Sequence, residues 1–252
     1  MQAELPHERL DVYKVYLEAA GLCGDMMSNA ARPIAVFDHL DRAMESIGVN
    51  FMRANVQAPG SAQRATYLDV SIASAHECAA SLDVSLAKRA IEQSAYTDGI
   101  GKLWRIRGML LGLKRANLTK VREGAVPYGS PRFPFMDLDM YRISLENVRW
   151  THDLMEELTP KGRLRRKLDV STTGIVLNIA EGHGRESVAD QNRFMKTAQE
   201  HAFQTLLLID LMVARDETNA ARVVDGKSTY ARVISLLHAW CTSNEKRNGQ
   251  EK

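Results

Sequence analysis

A stretch near the start of this chain returns, in register, in its second half. Leu10-Asp11-x-Tyr13-x-x-x-Leu17-Glu18 reappears as Leu138-Asp139-x-Tyr141-x-x-x-Leu145-Glu146, a shift of 128 residues. The same shift carries Asp25 and Met27 to Asp153 and Met155, Leu40-Asp41 to Leu168-Asp169, Ile47 to Ile175 and Asn50 to Asn178. Chance does not hold register through so many positions. Whatever the first half folds into, the second half folds into again.

The segment between the copies contains Pro127, Gly129, Pro131 and Pro134, which forbid a continuous helix. Residues 126–135 therefore read as a semi-rigid linker between a first unit, 1–125, and a second, 136–245, followed by a polar tail, 246–252. Within each unit the apolar residues recur at three and four, the period of an amphipathic helix. In the first copy the expected stripes are Leu10, Tyr13, Leu17, Ala20 and Met27; Leu40, Met44, Ile47 and Phe51; Leu68, Ile72, Ala75, Ala79, Leu82 and Leu86; and Leu103, Ile106, Leu110 and Leu113. Pro59-Gly60 separates the second from the third, with Ser61 as N-cap. The second copy repeats the plan over 138–155, 164–179, 194–212 and 230–240. No stretch alternates as a strand does. A helix pair cannot bury two faces alone, so the expected fold is all-α: two tandem up-down antiparallel four-helix bundles.

At 45% hydrophobic and 25% charged, the composition is that of an ordinary soluble globular protein. The first ten residues carry Glu4, His7, Glu8 and Arg9 and no apolar run, so no secretory signal is expected. The strongest apolar run, 206–214, contains Asp210 and is too short to span a bilayer. A cytoplasmic protein without membrane association is expected. Cys23, Cys78 and Cys241 lie far apart without metal-ligand spacing and read as buried free thiols.

One octet joins two helical patterns of the second copy: Asn178-Ile179-Ala180-Glu181-Gly182-His183-Gly184-Arg185. Gly182 is expected to stop the helix on its left in a left-handed conformation, with Gly184 as the turn beyond. Ser187 and Asp190 then approximate a capping box for the next helix. Asn178 is expected half-buried and bonding backbone carbonyls, and Glu181 with Arg185 to form an ion pair. Against this stands a reading in which Glu181, His183 and Arg185 face a ligand or partner.

The octet resembles the signature of the small four-helix-bundle proteins encoded in intervening sequences of 23S ribosomal RNA genes. Their relatives include the accessory variability determinants, which partner a reverse transcriptase in diversity-generating retroelements. Trp104-Arg105-Ile106-Arg107-Gly108-Met109-Leu110-Leu111-Gly112-Leu113 looks like that family's last helix. The resemblance implies bundles that assemble into homo-oligomers and a partner that is RNA or a reverse transcriptase. The first copy departs from it: at 50–57 only Asn50 of the octet is kept, whereas Glu77 matches a family glutamate that Gln204 replaces in the second copy.

Catalytic patterns are scarce. Di-iron bundles need Glu-x-x-His on facing helices, and neither half has one; His152 and Glu156, or Glu200 and His201, supply ligand types without the pairing. His152 lies on an apolar stripe where the other copy has Gly24, and reads as an interior histidine. Gly182 and Gly184 follow a helix, the wrong setting for a dinucleotide loop. No enzyme, metal, cofactor or small-molecule substrate is expected.

Two basic clusters remain. Between Asp98 and Glu123 there is no acid, while Lys102, Arg105, Arg107, Lys114, Arg115, Lys120 and Arg122 are present. The second cluster is Lys161, Arg163, Arg165, Arg166 and Lys167. Such clusters give salt-sensitive, sequence-independent phosphate affinity. The expected function is a non-enzymatic scaffold that oligomerises and engages RNA, or an RNA-bound reverse transcriptase, through Arg105, Arg107, Lys114, Arg115, Arg163, Arg165, Arg166 and Lys167. The alternative is a helical protein–protein interaction module whose cations are merely solvated.

Overall fold

Most helix boundaries of the second half fall 128 or 127 residues after those of the first. A computed structural model describes residues 6–30, 34–119, 132–157 and 163–250 of the chain. Among these the helices of the first half are α1 (Asp11–Asn29), α2 (Ala35–Asn55), α3 (Ala62–Ala87) and α4 (Gln93–Thr119). Those of the second are α5 (Asp139–Glu157), α6 (Arg163–His183), α7 (Val188–Ala214) and α8 (Ala220–Gln250). Short 3₁₀ turns, Pro6–Arg9 and Pro134–Asp137, precede α1 and α5 at the same shift of 128. The shift falls to 127 beyond α2 and α6: the loop 184–187 is two residues shorter than the loop 56–61, and α7 is one residue longer than α3. The fold is all-α, and no strand occurs among the described residues. Of the expected linker, 126–131 lies outside the described residues.

The chain divides into two compact units: Met1–Leu82 with Ala90–Phe133, and Asp83–Arg89 with Pro134–Lys252. The end of α3 thus counts with the second unit.

In unit 1 the helices close a ring through complementary side chains. On α2, Leu40, Ile47 and Phe51 are almost fully buried, each such side chain contributing about 1.5–3 kcal/mol of hydrophobic stabilisation. The small residues Ala73, Ala75, Ala79 and Ala80 let the neighbours of α3 approach closely. Ser71 Oγ can then donate to the Ile47 carbonyl at 2.8 Å, and Ser46 and Ser74 hydroxyls meet at 2.7 Å. Lys114 to Asp69 at 2.6 Å ties α4 to α3, and Lys102 to Glu18 at 3.0 Å ties α4 to α1.

The expected stripe on α1 is displaced. Its buried residues are Val12, Val15, Ala19, Cys23 and Met26, whereas Leu17 is 51% exposed. Shifted by 128 these positions are Met140, Ile143, Asn147, Thr151 and Leu154, all buried on α5. The repeat places the core face correctly; the residues that repeat by identity, such as Leu17 and Glu18, are not the ones that fill it.

Unit 2 repeats the ring. Thr151 and Tyr230 hydroxyls meet at 2.6 Å between α5 and α8, and Thr205 Oγ1 donates to Ser171 Oγ at 2.9 Å between α7 and α6. Glu157 receives both prongs of Arg222 at 2.9 and 2.7 Å. Burial pushes the Tyr230 hydroxyl up to about 12, against which hydrogen bonds from Thr151 and Thr172 work.

Candidate interaction surfaces

The octet is a corner of the bundle. Asn178 Nδ2 donates to the Gly174 carbonyl at 2.7 Å, a bond back along its own helix. Arg185 pairs with Glu181, stands 5.0 Å over the ring of Phe194, and its carbonyl accepts from Gln191 Nε2 at 2.7 Å. Ser187 Oγ accepts from the Asp190 N–H at 3.2 Å, the expected cap of α7. These groups spend their bonds holding the α6–α7 turn.

Gly182 does not stop α6. The helix runs on through His183, and Gly182 is absent from the residues with positive φ, so its backbone freedom is unused. Its role is space: a Cβ there would lie 2.8 Å from Phe194 Cβ, so only glycine lets α6 and α7 approach this closely. Gly184 does form the turn beyond, its N–H bonding the Ala180 carbonyl at 3.2 Å.

The first basic cluster is not one patch. At 100° per residue, Arg107 and Lys114 share a face of α4, while Arg105 lies on the opposite one. Arg107 Nε reaches His76 Nε2 at 2.9 Å and its guanidinium stands 5.2 Å from the Trp104 ring; burial lowers its pKa. Lys114 is 9% exposed and paired with Asp69. Arg105 and Arg115 are exposed. Lys120 and Arg122 lie outside the described residues.

In the second cluster, Lys161 lies outside the described residues, as does the side chain of Arg163. Arg165 bonds Glu156 at 2.6 Å. Arg166 and Lys167 are exposed on α6. Of the eight cations expected to form a polyanion surface, Arg107, Lys114 and Arg165 at least are therefore engaged within the bundles.

Lys167 borders a feature that charge patterning did not indicate. Leu164 and Lys167 of α6 and Gln204, Leu207, Leu208, Leu211 and Arg215 of α7 line an open groove of about 390 Å³. Leu207 is 59% exposed, and Phe203, one residue before Gln204, is 55% exposed. A mostly apolar floor with Lys167 and Arg215 at its rim suits an apolar partner surface carrying carboxylates. The run 206–214 showed its hydrophobicity in the sequence, but not which of its leucines the neighbouring helices would leave uncovered.

The cysteines are free and buried. Burial pushes the Cys23 thiol up to about 12 and holds Cys78 well above its ordinary value, so neither supplies a thiolate nucleophile. No group of three His, Cys, Asp or Glu side chains among the described residues could hold a metal ion. No helix among them is long and apolar enough to cross a membrane. No family model, curated protein or solved structure matches the chain.

Proposed function

We propose that this chain is a non-catalytic interaction scaffold whose working surface is the α6–α7 groove of unit 2. The observation that carries the reading is the exposure of Leu207 and Phe203 beside Lys167 and Arg215, at a place where the bundle core does not need them. Large side chains left in water at the surface of a well-packed bundle gain hydrophobic free energy only when a partner covers them.

A second reading, contact with RNA, is favoured by Arg166 and Lys167, whose side chains face solvent on α6. Phosphate contacts would then be few, and affinity would fall with added salt in proportion to their number. The intervening-sequence resemblance points the same way.

Both readings are tested by replacing Leu207 with a photo-crosslinking phenylalanine in cells, with the exposed Ala231 of α8 as control position. Protein adducts at 207 and not at 231 support the scaffold. RNA adducts at 207 support the second reading. Equal labelling at both positions removes the groove as the working surface.

A further inference from the structure

The groove has a counterpart in the first copy, and that counterpart is covered. At the shift of 127, Leu207, Leu211 and Arg215 correspond to Ala80, Val84 and Lys88, which are 0%, 0% and 4% exposed. The correspondence is structural as well as sequential: among described non-glycine residues only Arg89, at φ 54°, and Asp216, at φ 56°, have positive φ, and they are the same position. Asp83 likewise corresponds to Asp210. The two helix ends therefore carry the same residue types, an acid, an apolar step and a cation, buried on α3 and exposed on α7, where Asp210 also pairs with Lys227.

What covers the buried version is visible inside unit 2, to which Asp83–Arg89 belongs. Tyr141 OH donates to Asp83 Oδ2 at 2.6 Å. Lys88 Nζ donates to Asp169 Oδ1 at 2.5 Å and to Thr173 Oγ1 at 2.6 Å. The covering residues are thus a tyrosine at the start of α5 and an acid on α6.

Their counterparts at the shift of 128 are Tyr13 and Asp41. Both are kept by identity, although the core of α1 and α5 is not: Ala19 stands for Asn147 and Cys23 for Thr151. Tyr13 is held as Tyr141 is. His7 meets its ring edge-on at 4.9 Å, where Phe135 meets Tyr141 at 4.8 Å. Asp41 is exposed, and Leu17, one turn beyond Tyr13, is 51% exposed. Neither the Tyr13 hydroxyl nor the Asp41 carboxylate has a hydrogen-bond or ion-pair partner among the described residues.

We propose that the α7 groove of unit 2 receives unit 1 of a second copy of this chain, with Tyr13 donating to Asp210 and Asp41 pairing with Arg215. Glu45, the counterpart of Thr173, adds a second carboxylate toward Arg215. One rim pair becomes a pair of like charges: the Arg89–Asp153 bridge at 2.9 Å corresponds to Asp216 and Asp25, both exposed acids. Two different surfaces meet, so the contact is heterologous, and it propagates into a ring or an open chain of copies. This inference rests on the scaffold reading and names its partner.

Sedimentation of the full chain over a range of concentrations tests it. The wild type is expected to form species larger than the 28.2 kDa monomer. Arg215→Glu and Asp41→Arg, both exposed and checked for unchanged helicity, are each expected to be monomeric. Mixed one to one, they are expected to regain assembly beyond a dimer, because each contact then joins either two unaltered ends or two ends of reversed charge. The double variant regains assembly, and Asp216→Arg tightens it about two- to five-fold, the range of an exposed charge pair. A monomeric wild type, single variants that assemble as the wild type does, or a mixture that stays monomeric overturns the proposal. A crosslink from position 207 to a different protein would overturn self-docking while leaving the scaffold reading standing.

Discussion

Asn50 and Asn178, 128 residues apart, make the same bond. Each side-chain amide donates to the carbonyl four residues earlier, Asn50 to Ser46 at 2.9 Å and Asn178 to Gly174 at 2.7 Å. Asn50 also reaches Ser46 Oγ at 3.2 Å, which in turn meets Ser74 on α3. Asn50→Ala is therefore expected to cost about 1–2 kcal/mol and Asn178→Ala about 0.5–1 kcal/mol, since only the first disturbs a contact between helices. Urea unfolding curves of the two variants measure the difference.

Gly182 is expected to be intolerant for a steric reason. Alanine there drives its methyl into Phe194 and must separate α6 from α7, at about 1–3 kcal/mol. Had the residue served as a left-handed stop, asparagine would be the mildest replacement; with a packing role, asparagine is worse than alanine. Melting temperatures of Gly182→Ala and Gly182→Asn rank the two roles.

The basic residues of α4 separate into two kinds. Arg107→Ala and Lys114→Ala remove partly buried contacts to His76 and Asp69 and are expected to destabilise unit 1 by about 1–3 kcal/mol. Arg105→Ala changes stability by less than about 0.5 kcal/mol, the usual effect at an exposed position. Thermal unfolding of the three variants decides it. Any RNA affinity, measured by filter binding, is expected to follow Arg166 and Lys167 rather than Arg107 and Lys114.

Alkali is expected to loosen both units. The Tyr230 hydroxyl is raised from 10.0 to about 12, chiefly by burial, so the folded state keeps a proton that the unfolded chain gives up. That stabilisation is complete below pH 10 and is lost as pH rises through about 12, a difference of about 3 kcal/mol. Cys23, raised from 9.0 to about 12 by burial, adds a loss in unit 1 that begins near pH 9. Tyr230→Phe should flatten the alkaline part of the stability profile of unit 2 while costing about 1 kcal/mol at neutral pH for the hydroxyl contact with Thr151. Denaturant midpoints at several pH values read both effects.

Helix number and class were legible because a 3.6-residue period and a repeated register are properties of the chain alone; helix ends were not, α7 and α8 starting six and ten residues before their expected stripes. The Ser187 cap, the Glu181–Arg185 pair and the burial of His152 were legible for the same reason: each depends on residues within a turn or two. The core face of α1 was misjudged because small residues fill it. Ala19 and Cys23 look unremarkable beside Leu17 and Tyr13, and only packing by neighbouring helices decides which side is inside. The interior placement of Arg107 and Lys114 was hidden because their partners, His76 and Asp69, lie more than thirty residues away on α3. The groove was hidden too, being defined by what fails to cover α7.

Unit 2 includes Asp83–Arg89, which lie more than forty residues before the rest of it begins at Pro134. Cutting the chain between 126 and 131 would therefore divide unit 2 itself, taking Asp83 from Tyr141 and Lys88 from Asp169. The second fragment would keep a vacancy shaped for residues 83–89, which the first fragment carries away. Expressed together they should find one another again, and expressed apart the second fragment should be the less stable by the loss of a buried ion pair.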